Sequence, residues 1–334
     1  MSDPTAENRK KDHIRLAFES QAENALNDKR FYYEPLLSPH PAVKHLPKNF
    51  LGKQLQLPIW ISSMTGGTEM AGKINRNLAQ ACNEFGIGMG LGSCRSLLYS
   101  DTYFEDFNLR GIIGPDLPFY ANLGVAQIEK MLRENEVDGI KKLVDRLKAD
   151  GLIIHVNPLQ EWLQPEGDRF SNPPIETISA LLSKVNFPVI VKEVGQGMGP
   201  ESLKALLKLP LAAIDFGAFG GTNFSKVELL RSQEDSTGNE ISYIGHTAEE
   251  MVGFVNELVG EMGDNMRCKE IIISGGIKNY LDGYYCVKKI RLNAIYAQGS
   301  AFLKHAQNDF ASLKNYIKTQ ADGLTLANAF LKVR

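Results

Sequence analysis

The sequence predicts an α/β fold, a (β/α)8 TIM barrel with an N-terminal extension, and three observations carry that expectation. Eight short apolar runs recur along the 334 residues, most stretches between them have helical spacing, and the runs end in small or polar residues. A parallel strand lies between helices outside and side chains inside. It is buried on both faces and reads as a continuous apolar run rather than an alternating one.

The runs are Pro58 to Ser62, Ile87 to Leu91, Phe119 to Leu123, Leu152 to Val156, Val189 to Glu193, Ala212 to Phe216, Ile271 to Ser274 and Ala294 to Gln298. Between the first two, Ile74, Leu78, Ala81, Cys82 and Phe85 mark one face of a helix; between the third and fourth, Ile140, Leu143, Val144 and Leu147 mark another. The fourth run gives way abruptly to the polar segment His155 to Asp168, HVNPLQEWLQPEGD. Strands joined by helices end on one face, and barrels do their chemistry at that face. Residues 1–55 form an arm rich in charge, proline and aromatics, opened by Arg9-Lys10-Lys11-Asp12-His13, and the barrel occupies 56–334. The polar stretch from Arg231 to Tyr243 is longer than most barrel loops and is expected to be an insertion or a lid.

Composition narrows the class of function. The chain is 43% hydrophobic with a formal charge of −2, so no global field draws it to nucleic acid or an anionic membrane, and an anionic ligand must be held locally. Cys82, Cys94, Cys268 and Cys286 are far apart and form no CxxC pair, which argues against a zinc site or a disulfide framework. No apolar run approaches the roughly 18 residues of a membrane span, and a cytoplasmic location is expected.

Glycines cluster after the last three strands, at Gly220-Gly221-Thr222-Asn223, Ser274-Gly275-Gly276-Ile277 and Gln298-Gly299-Ser300. Barrels commonly hold phosphate after their last two strands on backbone N–H groups and a helix N-terminus, so a phosphate-bearing cofactor is expected. Met64-Thr65-Gly66-Gly67, Ser93, Asn122 and Lys192 on the other side suit a flat heterocycle, which points to a flavin. Lys192 ends an apolar run, and a buried lysine needs an anion. An anionic reduced flavin would serve; an ion pair with Glu193 or a neighbouring strand is the alternative. Glu161 with substrate phosphates and water would suffice for Mg2+; it shares one strand-end segment with His155, Asn157 and Gln160, and Arg9, Lys10 and Arg95 could supply charge-assisted bonds to a diphosphate.

These residues bring a resemblance into view. The segments Arg9 to Ile14, Met64 to Gly67, Asn75-Arg76, Gly88 to Ser93 with Arg95, Ala121-Asn122, His155 to Glu161, Gln164 to Asp168, Val191 to Gly195, Gly220 to Phe224 and Ser274 to Gly276 closely resemble type 2 isopentenyl diphosphate isomerase over nearly the whole chain. That family is an FMN-dependent (β/α)8 barrel. The resemblance implies that Arg9, Lys10, His13, Ser93, Arg95 and Asn157 hold the substrate diphosphate, that Gln160 lies beside the isoprene, and that Glu161 binds Mg2+. It implies FMN contacts at Met64, Thr65, Gly66, Ser93, Asn122, Lys192, Thr222, Gly275, Lys278 and Gly299, to which the glycine clusters add Gly276 and Gln298. Gln160, Lys192 and His155 are the expected catalytic residues, reduced FMN the active cofactor, NADPH the reductant, and a homo-oligomer the assembly.

The chain departs from the family pattern at Cys94, where Gln is usual, at Phe216 and Phe219, at Ile244-Gly245-His246-Thr247, and at Lys278, often Arg. Two other functions fit the same fold. An FMN-dependent 2-hydroxy acid oxidase or dehydrogenase would need a histidine base where Ser274 stands, and a non-catalytic flavin-binding barrel would need no diphosphate clamp.

Overall fold

A computed structural model of the chain describes residues 6–43, 45–62, 66–232 and 239–334. Eight parallel strands close on themselves: β1 (Ile59–Ile61), β2 (Gly88–Gly90), β3 (Phe119–Gly124), β4 (Gly151–Val156), β5 (Val189–Glu193), β6 (Ala213–Asp215), β7 (Glu270–Ile273) and β8 (Asn293–Gln298). Each pairs with its successor, and β8 closes on β1 with Tyr296 opposite Ile59 and Gln298 opposite Ile61. Every strand lies within one residue of an expected apolar run. Strands β1, β2, β3, β5 and β6 are buried at every position, as strands covered on both faces must be.

The expected helices form as their spacing requires. Thr68 caps the helix Glu69–Phe85 by accepting the N–H of Ala71, Gly86 ends it at φ 61°, and Ile74, Leu78, Ala81 and Cys82 are buried while Phe85 is partly so. In the helix Val137–Leu147 the buried face includes Ile140, Leu143, Val144 and Leu147. Large aromatics anchor the core: Trp60, Tyr120 and Tyr296 are almost wholly buried, each contributing on the order of 2–3 kcal/mol.

The stretch before the barrel has three parts. The helix Ala6–Leu16 has no buried residue. Phe31–Tyr33 pairs antiparallel with Leu331–Val333, and Arg30 pairs with Asp28 and Asp282, which ties the chain's beginning to its end. The hairpin Lys48–Phe50 with Lys53–Leu55 plugs the floor of the barrel: Phe50 and Leu55 are fully buried, Leu51 N–H donates to Glu270, and Lys53 pairs with Asp150 at the entry to β4. Among the described residues no helix is long and apolar enough to cross a membrane.

Candidate active site

Strand register builds the centre of the site. Gly124 lies opposite His155, His155 opposite Lys192, and Lys192 opposite Asp215, which sets these residues in one row near the ends of β3 to β6. Register partners on parallel strands point to the same face. His155 and Lys192, with Ser93, Asn122 and Gln160, line a cavity of about 550 Å³ at the mouth.

Lys192 finds its anion in the protein. Its ammonium stands 3.1 Å from Asp215 Oδ2 as an ion contact, outside the alignment of a hydrogen bond, so that oxygen has no hydrogen-bond donor. Ser274 completes the unit. Its hydroxyl donates to Asp215 Oδ1 and accepts from the Gly217 N–H at 2.8 Å and from Lys192 at 3.4 Å. The neighbouring-strand pair supplies the lysine with a counter-charge from within the protein. Gly217, at φ 55°, holds this crossing open, since a Cβ there would come 1.9 Å from the Glu193 carbonyl oxygen.

His155 is held neutral. Burial first, and Lys192 second, lower its pKa to about 4. Asn122 donates through its amide to the Leu91 carbonyl, so its oxygen faces His155 Nδ1 at 2.7 Å as an acceptor. The proton therefore sits on Nδ1, and Nε2 is left as an acceptor. Because the folded state depresses this pKa, its contribution to stability is present above about 6.5 and is lost as pH falls toward about 4, worth roughly 1–3 kcal/mol over that window. We expect the imidazole resonances of His155 to show no titration between pH 5.5 and 8; a midpoint above 6 by NMR would contradict the assignment.

The segment after β4 forms a compact polar turn. Asn157 donates its amide to Gln160 Oε1 and to Glu161 Oε1, each at 3.1 Å, and its own oxygen is buried without a partner. Glu161 Oε2 accepts the N–H of Asp168 at 2.7 Å. Gln160 donates to Glu228 Oε1 at 3.1 Å, and Glu228 is nearly fully buried on the helix Phe224–Ser232 with Arg231 as counter-ion.

The structure brings many of the expected residues to one cavity: Ser93, Asn122, His155, Gln160, Lys192 and Thr222 line it, as do Gly275, Gly276, Lys278, Gln298 and Gly299. Asn157 and Glu161 stand behind Gln160, and Arg95 pairs with Asp168 at 2.9 Å without lining the cavity. Gly66 packs against Phe107. Arg9, Lys10 and His13 lie on the exposed helix and are not brought to the cavity. Met64 and Thr65 fall outside the described residues, as do 233–238 of the polar stretch after Arg231. Cys94 is buried with its thiol pushed up to about 12 by burial, a packed and unreactive group. Three residues of the site went unread in the sequence: Asp215, Glu228 and Lys304, which joins Lys278 on the cavity wall.

The glycine clusters cross backbone on backbone. Gly275, at φ 85°, passes so close to Ala218 that a Cβ would lie 2.0 Å from its carbonyl oxygen. Gly299 precedes the helix Ser300–Asn308 with no side-chain cap, and Ser300 and Ala301 of its first turn line the cavity with Lys304. Among the described residues, no group of three or more His, Cys, Asp or Glu could hold a metal ion.

Comparison with known proteins places the chain among relatives. No family model matches it. It is 37% identical over 322 residues to isopentenyl-diphosphate delta-isomerase of Rickettsia felis, a match covering 93% of this chain and 88% of that protein. It is 38% identical to the protein of the same name from Rickettsia akari, over 89% of this chain and 85% of that one. Among solved structures, a flavocytochrome b2 variant with sulfite bound superposes with a TM-score of 0.63 at 13% identity, over 94% of this chain and 78% of that one. A mandelate oxidase variant with a monooxide FMN adduct superposes at 0.56 and 13%, over 92% and 89%. At such identities the structural likeness speaks for the barrel alone.

Proposed function

The chain belongs to the isopentenyl-diphosphate delta-isomerase family, and on that premise we propose that it moves the double bond of isopentenyl diphosphate to give dimethylallyl diphosphate, with reduced FMN and Mg2+ as cofactors. One observation carries the reading: Gln160 and the glycine-lined phosphate cradle of the last three strands face the same cavity. A nucleotide-like cofactor and an alkene beside Gln160 can therefore share it.

The residues present fit FMN. The crossing glycines leave no Cβ over the cradle, Lys278 and Lys304 supply charge for its phosphate, and Ser93, Asn122, Lys192 and Thr222 supply polar contacts for its ring system. When bound in reduced form, FMN supplies an electron-rich acid/base group beside the alkene. The reaction adds a proton at the terminal alkene carbon and removes one from C2, with no net electron transfer. Neutral His155 offers Nε2 as an acceptor at the cavity wall, and Lys192 keeps a positive charge at its edge with Asp215 behind it. Gln160, an amide without a useful pKa, positions the hydrocarbon tail, and Glu228 fixes its orientation.

Mg2+ would be held at the turn behind Gln160 with water and substrate oxygens completing what one carboxylate begins. Glu161 gives the carboxylate, and the unpartnered Asn157 oxygen is an acceptor that a metal-bound water would satisfy. Glu161→Gln is expected to raise the Mg2+ needed for half-maximal turnover by roughly tenfold; superimposable Mg2+ titrations of variant and parent would remove Glu161 from that role. Arg9, Lys10 and His13 would reach the diphosphate when the first helix closes over a mouth, Ser93, Arg95 and Asn157 would complete the clamp, and NADPH would keep the flavin reduced in a cytoplasmic homo-oligomer.

The rival 2-hydroxy acid oxidation would need a base where Ser274 stands, and that hydroxyl is committed to Asp215 and Gly217. The test is direct. Purified protein loaded with FMN should convert isopentenyl diphosphate only after anaerobic reduction and in the presence of Mg2+. Oxygen uptake with a 2-hydroxy acid and no alkene migration would favour the oxidase.

A further inference from the structure

Glu193 and Gln196 form a strut that the chemistry above does not use. Glu193 ends β5 and Gln196 lies in the turn that follows; Glu193 bonds to that turn, and Gln196 to the elements that flank the cavity. Glu193 Oε2 accepts three consecutive backbone N–H groups, from Gly195 and Gln196 at 2.7 Å and from Gly197 at 2.8 Å. Burial pushes this carboxyl up to about 7, and the three N–H groups oppose that rise. So the turn is wound about a nearly buried side chain, and the geometry of one dictates that of the other.

Held in this way, Gln196 spends every polar group on a neighbour. Its carbonyl accepts the His246 N–H at 2.8 Å, and its side-chain amide donates to the carbonyls of Ile244 at 2.9 Å and Ile241 at 3.3 Å. Its side-chain oxygen accepts the Ser225 hydroxyl at 2.9 Å. Ser225 and Glu228 are the two buried residues of the helix Phe224–Ser232, one turn apart on the same face. The path from Gln196 to Ser225 therefore continues along a rigid helical turn to Glu228, whose carboxylate accepts the amide of Gln160.

We propose that Gln196, anchored by Glu193, is a positioning residue that sets the helix Phe224–Ser232 so that Glu228 meets Gln160. The inference rests on the reading of Gln160 as the residue beside the alkene. It assigns to the turn after β5 a second duty: besides lining the cavity with Val194 and Gly195, the turn fixes a helix from a different βα unit. Displacements near 1 Å remote from the chemistry are enough to cost about 100-fold in rate.

The test uses the FMN-loaded full chain. Gln196→Ala should lower kcat by roughly 10- to 100-fold while FMN affinity, read by quenching of flavin fluorescence, stays within about twofold. Amide exchange across 224–232 should quicken, and Gln196→Ala combined with Glu228→Ala should lose no more than Glu228→Ala alone, because both act on one link. Ser225→Ala, which deletes a single hydroxyl, should shift kcat and exchange in the same direction and carries the test if Gln196→Ala does not fold. Unchanged kcat, losses that multiply, or an FMN affinity that falls in step with kcat would overturn the proposal. Should the parent protein show no isomerase activity, the functional reading fails, and unchanged exchange at 224–232 in Gln196→Ala would separately sink the strut.

Discussion

Replacing Asp215 by alanine is expected to lower the free energy of unfolding by about 3–5 kcal/mol, the cost of leaving a buried charge without its partner. Strand register holds Lys192 in the row beside Asp215, and its side chain is only 8% exposed. The loss also strips Ser274 of its acceptor and loosens its grip on the Gly217 N–H. A second substitution separates the cause from mere cavity formation. In Lys192→Met/Asp215→Leu no charge remains, and most of the stability should return, because apolar replacement of a whole buried pair is often neutral or better. Urea unfolding without added flavin is the right measurement, since an anionic ligand could stand in for the missing carboxylate. A single variant within 1 kcal/mol of the parent, or a double variant no better than the single, would show that Lys192 does not depend on Asp215.

Gln160→Asn should reduce turnover by about 100-fold, or roughly 2.7 kcal/mol of transition-state stabilisation, with FMN affinity nearly unchanged. One methylene fewer takes the amide out of reach of both Asn157 and Glu228, which now hold it from two sides at 3.1 Å. The carbon skeleton of the substrate offers no group to grip, so the rate depends on how the wall of the cavity confines it. Glu228→Gln should move kcat in the same direction by less, because an amide can still accept from Gln160 while the pairing with Arg231 is lost. A Gln160→Asn enzyme with parental kcat would place the alkene elsewhere in the cavity.

The barrel was legible because parallel strands covered on both sides leave a simple trace, an apolar run of four or five residues closing on small or polar ones. The same trace hid Asp215. One acidic residue at the end of Ala212-Ala213-Ile214 reads as an ordinary strand end, and its partners Lys192 and Ser274 lie 23 and 59 residues away in sequence, brought together only by register. The sequence therefore pointed to a lysine in need of an anion and left a flavin or a neighbouring-strand carboxylate as the choices, without naming Asp215. Glu228 was hidden for a different reason. The helix FSKVELLRS buries Ser225 and Glu228 while Leu230 is 72% exposed, an inversion of the usual facing that spacing cannot reveal. The polar cluster from His155 to Glu161 at the cavity was readable because one short segment carries it. Arg9 and Lys10 drew attention as basic residues and His13 through the resemblance, and all three lie on an exposed helix without a buried residue.

Isomerisation at this cavity is tested most directly in deuterated water. Anaerobically reduced, FMN-loaded protein with Mg2+ and isopentenyl diphosphate, followed by proton NMR, should yield dimethylallyl diphosphate carrying solvent deuterium in a methyl group, with the flavin still reduced at the end. Absence of the dimethylallyl product, or its appearance only with stoichiometric oxidation of the flavin, would contradict a redox-neutral isomerase.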